Sequence, residues 1–151
     1  NIEDNGEFTC SISTMDTRDE MNISSAKVDP LSDEFELSNL QTAQSHFVKP
    51  PRVALAPASL ECKHWRTIEL PDVIGDSGHF IVVGQVIGIF INDNVIKDGL
   101  VDTASMRPLA RMGYMDYTVV TPETTFSLQR PQVKKDGTVK VPKGDWDGIY
   151  P

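Results

Sequence analysis

The side chains best suited to hold a charged, planar ligand are grouped in one short stretch of the chain. Arg111 is followed directly by Met112 and Gly113, and Tyr117 lies a few residues further on. A guanidinium beside a glycine can reach a phosphate group or the edge of a ring system where the backbone also approaches closely. Arg111 is equally suited to a surface or inter-subunit salt bridge, and Tyr117 to stacking beside a ring or packing in a core. This stretch is a candidate binding site with those structural alternatives.

Other kinds of catalytic site are not indicated by the sequence. His46 and His64 have no companion at metal-ligand spacing, so we predict no metal site. The chain has no Gly-x-Ser-x-Gly elbow, and Gly84 and Gly88 form neither a dinucleotide fingerprint nor a phosphate loop. His79 begins a predicted strand, where it is either a solvent-exposed strand-end residue or a group that positions a ligand near neutral pH.

Composition limits the kinds of partner and compartment. The 151 residues suffice for one domain, and the net charge of −8 argues against nucleic acid, whose phosphates attract clustered Lys and Arg. Apolar runs of a few residues fall far short of the ~20 that cross a bilayer, so we expect no membrane partner. Cys10 and Cys62 are predicted to be buried free thiols. An acidic chain without a disulfide pattern favours a cytoplasmic location.

Two long predicted strands must carry most of the architecture. In residues 59–70 an alternating pattern predicts a half-buried strand with a polar outer face. Residues 79–92 are apolar on both faces, which predicts a strand covered on both sides, one of them by a helix or a second subunit. The pattern places Leu60, Cys62, His64, Arg66 and Ile68 opposite Glu61, Lys63, Trp65, Thr67 and Glu69, and puts Gly84 and Gly88 on the same face.

The remaining elements are shorter. Residues 1–6 read as a helix end stopped by Gly6, and short helices are predicted after Thr14 or Asp16 and over residues 32–40. A flexible loop is expected over 71–78 and a short helix over 103–109. Beyond Pro131 the composition changes to a small exposed hairpin over 133–142 and a tail with Trp146 and Tyr150. We therefore divide the chain into residues 1–131 and a C-terminal extension, residues 132–151.

Several motifs follow one another in an order typical of a known family. Gly84-Gln85-Val86-Ile87 lies on the apolar strand, Asp98-Gly99 follows a turn, and Pro-Leu-Ala-Arg-Met-Gly occupies 108–113 ahead of Tyr117. Upstream are Asn-Ile-x-x-x-Gly-Glu-Phe at 1–8, Asp-Glu-Phe at 33–35, Lys-Pro-Pro-Arg-Val at 49–53 and Leu-Glu-Cys at 60–62. From residue 1 to about residue 131, the chain resembles flavin reductase-like proteins of the FMN-binding split-barrel group, of the flavoprotein oxygenase-associated type.

The resemblance implies a fold and an assembly. Its members are mainly β, with an antiparallel Greek-key split barrel and short helices, so we expect that architecture and a homodimer here. Family members carry a sizeable N-terminal half ahead of the Asn-Ile motif, whereas this chain begins at that motif with Asn1. We therefore expect the chain to be the C-terminal portion of such a domain.

The resemblance also implies a function, which is oxidoreduction with FMN as cofactor and NAD(P)H as the electron donor. It implies that Arg111, Met112, Gly113 and Tyr117 hold FMN and that His79 lies toward the nicotinamide. Asn22, in a Met-Asn-x-Ser segment, would touch FMN from the partner subunit or cap a helix end. Tyr114 stands where the family often has a second glycine. Two alternatives remain: a non-catalytic dimeric interaction module, and flavoredoxin-like electron transfer without nicotinamide.

Overall fold

The structure is a computed structural model that describes residues 1–29, 31–71, 78–142 and 144. The described part of the chain is mainly β, as predicted. Its helices are α1 (Ile2–Asn5), α2 (Arg18–Ser24) and α3 (Glu34–Ser38), with single 3-10 turns at Met15–Thr17, Asp93–Val95 and Pro122–Thr124. Its strands are β1 (Glu7–Ser11), β2 (Thr42–Ala43), β3 (Arg52–Val53), β4 (Ala58–Glu69), β5 (Phe80–Ile91), β6 (Ile96–Lys97), β7 (Leu100–Val101), β8 (Leu109–Arg111), β9 (Tyr117–Val119), β10 (Gln132–Val133) and β11 (Val139–Lys140).

The helix ends follow the local signals in the sequence. Gly6 ends α1 with φ 67°, the left-handed conformation that glycine adopts without a steric penalty. The Asp33 carboxylate caps α3 by accepting a hydrogen bond from the Phe35 amide. Thr14 precedes the first 3-10 turn in a reciprocal capping arrangement with Thr17. The predicted short helices in these regions are confirmed.

The organising unit is an antiparallel sheet of three strands in the order β1-β4-β5. Strand β4 lies in the middle, with Phe8 opposite Cys62 on one side and Val86 opposite Cys62 on the other. The predicted strands over 59–70 and 79–92 are therefore confirmed, each within one residue of its expected ends.

Two β-bulges overturn the predicted distribution of side chains between the faces. Ile87 is an extra residue on β5, between the pairs Glu61–Gly88 and Cys62–Val86, and Trp65 is an extra residue on β4. Side chains alternate along a strand, so each extra residue moves all later side chains to the opposite face. Gly84 and Gly88 consequently lie on opposite faces. Arg66 and Ile68 likewise do not share the face of His64.

We name the two faces of the sheet after neighbouring residues of β4. The pairing and the two bulges assign every position to one face or the other. The Cys62 face comprises Phe8, Cys10, Leu60, Cys62, His64, Phe80, Val82, Gly84, Val86, Ile89 and Ile91. The Glu61 face comprises Glu7, Thr9, Ser11, Ser59, Glu61, Lys63, Ile81, Val83, Gln85, Gly88 and Phe90.

A strap formed by residues 42–53 crosses the Glu61 face. The Phe47 ring fills the space that a side chain at Gly88 would need, since a Cβ there would lie 2.4 Å from a ring carbon. The Arg52 guanidinium stacks 3.5 Å from the centre of the Phe90 ring. The Ser11 hydroxyl contacts the Ser59 hydroxyl and accepts from the Val53 amide. The strap thus covers the part of this face around Ser59, Gly88 and Phe90.

Three further expectations are wrong. Cys10 is an exposed thiol, whereas Cys62 is buried as predicted and both are free. Glu61, expected on a polar outer face, is only 1% exposed. Residues 103–106 form turns, and the expected helix over 103–109 is absent, because Pro108 and Leu109 pair with Thr14 and Ser13 in an extended conformation. Most of the predicted loop over 71–78, together with Trp146 and Tyr150, lies outside the described residues.

Candidate functional site

The predicted binding stretch forms a small hairpin built from β8 and β9. Its base is joined to the segment that follows β1: Pro108 forms a bridge with Thr14, and the Leu109 amide donates to the Ser13 carbonyl at 3.0 Å. The Val120 amide closes the base by donating to the Pro108 carbonyl at 2.9 Å. Backbone hydrogen bonds therefore fix where the hairpin leaves the body of the protein.

The turn of the hairpin has an unusual residue at its tip. The Met112 amide donates to the Asp116 carbonyl at 2.9 Å, and the Asp116 amide donates to the Gly113 carbonyl at 3.0 Å. Tyr114 has φ 55°, and its side chain is 95% exposed. The left-handed conformation explains why a glycine suits this position, since a side chain there is strained.

Arg111 is held within the hairpin by Tyr117, the residue opposite it in the strand ladder. Its Nη1 donates to the Tyr117 hydroxyl at 3.0 Å, and its Nη2 donates to the Tyr114 carbonyl at 3.0 Å. The guanidinium carbon lies 5.5 Å from the centre of the Tyr117 ring, within cation–π range. These contacts fix a cation beside an aromatic ring.

Within one chain, this arrangement argues against two structural alternatives, an intramolecular salt bridge of Arg111 and a core position of Tyr117. No carboxylate forms a salt bridge with Arg111 among the residues that the structure describes, so the inter-residue ion pair is absent within this part of the chain. Tyr117 is 41% exposed, so it does not pack in a core. A guanidinium has five N–H donors, and the hydrogen bonds to Tyr117 and Tyr114 leave three for a ligand.

The surface around this cation is open and partly apolar. Met112 is 62% exposed. A Cβ added at Gly113 would meet no atom within 4 Å, and Gly113 does not have a positive φ, so the fold itself does not require glycine here. The hairpin therefore offers a cation, an aromatic ring and free space on one exposed surface.

The other two candidate residues lie elsewhere. His79 is exposed just before β5, where its carbonyl accepts from the Leu70 amide at 2.9 Å, and no hydrogen bond or ring contact in the described residues joins it to the hairpin. Asn22 is exposed in α2, and its carbonyl accepts from the Ser25 amide and hydroxyl at the helix end. Neither His79 nor Asn22 contacts Arg111 in the structure.

Glu61 is a buried charge that the sequence pattern did not reveal. Its carboxylate accepts from the His46 amide at 3.0 Å and from the Phe47 amide at 2.6 Å. Burial by itself raises the pKa of Glu61, but hydrogen bonds from the amides of residues 46–48 and the nearby His46 outweigh burial and lower it. Its position in an alternating strand suggested exposure, and only the tertiary contact with the strap shows its role.

Arg52 is a second unpredicted feature. Its Nε and Nη1 are buried and have no hydrogen-bond partner among the described residues. The stacking on Phe90 covers the guanidinium plane. The Lys-Pro-Pro-Arg-Val segment contained the residue, but nothing in the sequence showed that its side chain is enclosed.

The described residues include neither a metal-binding cluster nor a membrane-spanning helix. No group of three His, Cys, Asp or Glu side chains there could hold a metal ion. None of the helices in that part of the chain is long and apolar enough to span a membrane. An open concavity lies at the C-terminal end of α3, lined by Asp33, Phe35, Glu36, Asn39, Leu40, Gln41 and Thr42, and includes none of the candidate residues.

Sequence relatives match this chain over most of its length. A protein of Halalkalibacterium halodurans is 28% identical over 136 residues, which cover 90% of this chain and 64% of the relative. A protein of Deinococcus radiodurans is 33% identical over 133 residues, covering 86% of this chain and 56% of the relative. The chain thus spans between half and two thirds of the length of these relatives.

Solved structures share the fold. Nitrilotriacetate monooxygenase component B from Bacillus cereus superposes with a TM-score of 0.75 at 25% identity, over 85% of this chain and 62% of that one. Flavoredoxin of Desulfovibrio vulgaris gives 0.70 at 21% identity, over 85% and 64%. A Shewanella frigidimarina protein with a split barrel domain gives 0.68 at 23% identity, over 86% and 62%. The expected split-barrel fold is confirmed.

The family model for the flavin reductase like domain matches residues 1–110, which include the whole β1-β4-β5 sheet and β8 as far as Ala110. The match ends one residue before Arg111, so the hairpin lies at its border. With most of the chain matched, this protein belongs to the flavin reductase-like domain family.

Proposed function

We propose that this chain is the FMN-holding part of a flavin reductase-like oxidoreductase that takes electrons from NAD(P)H. The observation that carries the proposal is the fixed Arg111 guanidinium beside Tyr117 on an open hairpin. Membership of the flavin reductase-like family and the split-barrel fold support the flavin. The choice of FMN, the nicotinamide and the homodimer come from the resemblance stated above, and the cytoplasmic location comes from the acidic composition without a disulfide pattern.

The hairpin residues fit one side of FMN. The cofactor needs an apolar surface for its rings and donors or cations for its polar edge and phosphate. Exposed Met112 supplies apolar surface, Arg111 supplies the donors, and Gly113 leaves room for close approach. An enclosed slot is not formed by the described residues at this hairpin, so the opposite side of the rings would be covered by other polypeptide.

Each candidate residue then has a definite task. Arg111 donates hydrogen bonds to the phosphate or to the polar ring edge, while Tyr117 keeps the guanidinium oriented. Met112 and Gly113 line the ring, and Asn22 reaches it from the partner subunit. Exposed His79 orients the nicotinamide as a hydrogen-bond donor or acceptor. When bound, the flavin supplies the two-electron chemistry, and the protein supplies position and electrostatics.

Two other functions are candidates. The first form is electron transfer without nicotinamide, and the second form is a dimeric interaction module without catalysis. The fold similarity to flavoredoxin is compatible with the first form, although at 21% identity it shows the fold alone. The second form is favoured by the large apolar area that the sheet leaves open, with Ile89 63% exposed. Electron transfer without nicotinamide predicts a yellow protein that NAD(P)H does not bleach. The interaction module predicts a protein that retains no flavin and has no colour.

The test is the visible absorbance of the purified chain after incubation with FMN and desalting. We expect retained oxidised-flavin bands at about one flavin per chain, bleached by NADH or NADPH under anaerobic conditions. Retained bands that no nicotinamide bleaches would favour electron transfer without nicotinamide. Absence of retained flavin would contradict FMN binding by this chain and favour the interaction module.

Arg111→Gln tests the residue that carries the proposal. Loss of charge-assisted hydrogen bonds is expected to weaken FMN binding about tenfold or more, measured by titration of flavin fluorescence. Arg66→Gln is the matched control, because Arg66 is an exposed arginine on β4. Tyr117→Phe removes the hydroxyl that holds Nη1 while keeping the cation. Equal FMN affinity in wild type and Arg111→Gln would remove Arg111 from the site.

A further inference from the structure

The hairpin of β10 and β11 is basic, although the whole chain carries a net charge of −8. We name residues 132–141 the basic hairpin; they lie beyond residues 1–110, which the family model matches. Within 130–142, four basic residues accompany one acidic residue, Asp136. The Asp136 carboxylate is engaged in the turn, where it accepts hydrogen bonds from the Thr138 amide at 2.9 Å and hydroxyl at 2.6 Å. The basic residues, all exposed except for the partly buried Arg130, are Arg130, Lys134, Lys135 and Lys140.

One face of the basic hairpin is apolar and open. Val133 lies opposite Val139 in the ladder, and Val141 follows on the same side because side chains alternate along a strand. Their exposed fractions are 72%, 65% and 61%. Gln132 and Lys140 form the pair on the opposite face. An isolated hairpin of two strands is marginally stable in water, so a surface that covers the three valines would stabilise it.

The concavity at the C-terminal end of α3 complements the basic hairpin in charge and in polarity. Its volume is about 500 Å³, and its lining combines acidic Asp33 and Glu36 with the partly buried side chains of Phe35 and Leu40. Residues 29–42 include no Lys or Arg and four acidic residues, which are Asp29, Asp33, Glu34 and Glu36. An apolar and acidic concavity therefore matches a hairpin that is apolar and basic.

The two surfaces do not satisfy each other within one chain. None of the residues that line the α3 concavity belongs to the basic hairpin. Among the described residues, no salt bridge involves Glu34, Glu36 or a lysine of the hairpin. Each chain carries both surfaces, so a second copy can offer each surface its complement. Two such contacts related by a two-fold axis would form a closed dimer, since a two-fold interface repeats every contact.

We propose that the valine face of the basic hairpin docks in the α3 concavity of a second copy, with the hairpin lysines beside Glu34 and Glu36. The contact should be weak and sensitive to salt, because exposed ion pairs contribute little individually and are screened as ionic strength rises. We expect it at chain concentrations of about 0.1 mM and above, and we expect it to weaken severalfold between about 0.05 and 0.5 M salt. The inference concerns assembly and does not depend on the flavin.

Zero-length cross-linking of the full chain tests the contact. A carbodiimide joins an amine to a carboxylate where the two groups are within ion-pair distance. In an equal mixture of unlabelled and heavy-isotope-labelled chain, we expect mixed-isotope cross-links from the hairpin lysines to Glu34 or Glu36. Lys97, an exposed lysine on β6, gives the background yield. The hairpin yield should exceed this background about tenfold or more at low salt and fall toward it at high salt.

Exchanging the charges separates docking between copies from docking within one chain. One variant carries Lys134→Glu, Lys135→Glu and Lys140→Glu, and the other carries Glu34→Lys and Glu36→Lys. Each variant alone should associate about tenfold more weakly than the wild type, measured by sedimentation equilibrium, whereas their equal mixture should regain wild-type association. Lys97→Glu is the control and should associate as the wild type does. A dimer formed by another surface would raise the mass of every variant equally and leave this comparison unchanged.

Three results would overturn the proposal. Cross-links confined to chains of a single isotope would place the hairpin on its own chain. A hairpin yield no higher than that of Lys97 would show that the lysines do not meet Glu34 or Glu36. A mixture that associates no better than the separate variants would exclude exchange of charge between copies. The cross-linking uses the wild-type chain, so it is independent of whether the variants fold, and no measurement requires flavin.

Discussion

At the scale of single residues, backbone conformation explains more of the hairpin than side-chain type does. The family motif draws attention to Gly113, yet Gly113 does not have a positive φ and has open space around it. The strained residue is its neighbour Tyr114, with φ 55°. A left-handed conformation in a bulky residue costs roughly 1 kcal/mol. The hairpin thus keeps Arg111 in place in spite of a local strain.

Tyr114→Gly should relieve that strain. The Arg111 contact at this position is to the backbone carbonyl, so the substitution leaves it intact. We expect the hairpin to gain up to about 1 kcal/mol, reduced by the greater freedom of glycine in the unfolded chain. The measurement is hydrogen exchange of the Met112 amide, which donates to the Asp116 carbonyl.

Met115→Gly is the control for this prediction. Met115 is 84% exposed and does not have a positive φ, so glycine there adds freedom to the unfolded chain without relieving strain. Its Met112 amide should exchange faster than in the wild type. If Tyr114→Gly speeds exchange to the same extent, strain at position 114 does not limit the hairpin.

At the scale of elements, the sequence predicted which segments form strands but not which side chains share a face. Residues 79–92 are apolar at nearly every position, so an extra residue at Ile87 leaves the pattern unchanged and cannot be detected in it. Trp65 escaped detection because polar and apolar residues are mixed beyond it. The hairpin is a candidate site predicted from its motif, whereas the roles of Glu61 and Arg52 depend on contacts between the strap and the sheet, which are distant in sequence.

The strap should detach in acid because it depends on an ionised Glu61. The folded pKa of Glu61 lies below its ordinary value, so its contribution to stability is fully present above pH ~4.3 and is lost as the pH falls through the folded pKa. Glu61→Gln should cost about 1–3 kcal/mol at neutral pH, because an amide group then faces backbone N–H donors. Urea unfolding at neutral pH and at several acidic pH values measures both effects.

Glu69→Gln is the matched control, since Glu69 lies on the same strand and is exposed. It should retain the wild-type stability and the wild-type loss of stability in acid. In Glu61→Gln that loss should be smaller, because the titrating group has been removed. An unchanged acid profile in Glu61→Gln would show that other carboxylates hold the strap.

At the scale of the whole molecule, we propose that the C-terminal extension, residues 132–151, is separable from the rest. Its hairpin, β10 and β11, is exposed along its whole length, and the hydrogen bonds of its turn are internal, such as that from the Lys134 amide to the Thr138 carbonyl. Among the described residues, the Gln129 side chain donates to the Gly144 carbonyl across the proposed boundary. We therefore propose residues 1–131 as the unit that folds and 132–151 as an extension.

Truncation after Pro131 tests this division. Because the removed hairpin is exposed, we expect the midpoint of thermal unfolding to change by less than about 2 °C. Circular dichroism during heating gives the midpoint, and the Arg111 hairpin should keep its hydrogen-exchange protection. A fall of more than about 5 °C would show that the extension packs on the domain and belongs to it.

The two bulges also compensate for each other in the pairing register of β4 and β5. The pairing register of β4 and β5 is shifted by one residue over Cys62, Lys63 and His64. The extra residue Trp65 restores the original register from Arg66 onward. Loss of either extra residue alone would leave the pairs beyond it out of register. Loss of both Ile87 and Trp65 would leave the residue pairs at the ends of the hairpin in register. We therefore expect the pairing at the ends of the hairpin to survive deletion of both residues together but not deletion of one alone.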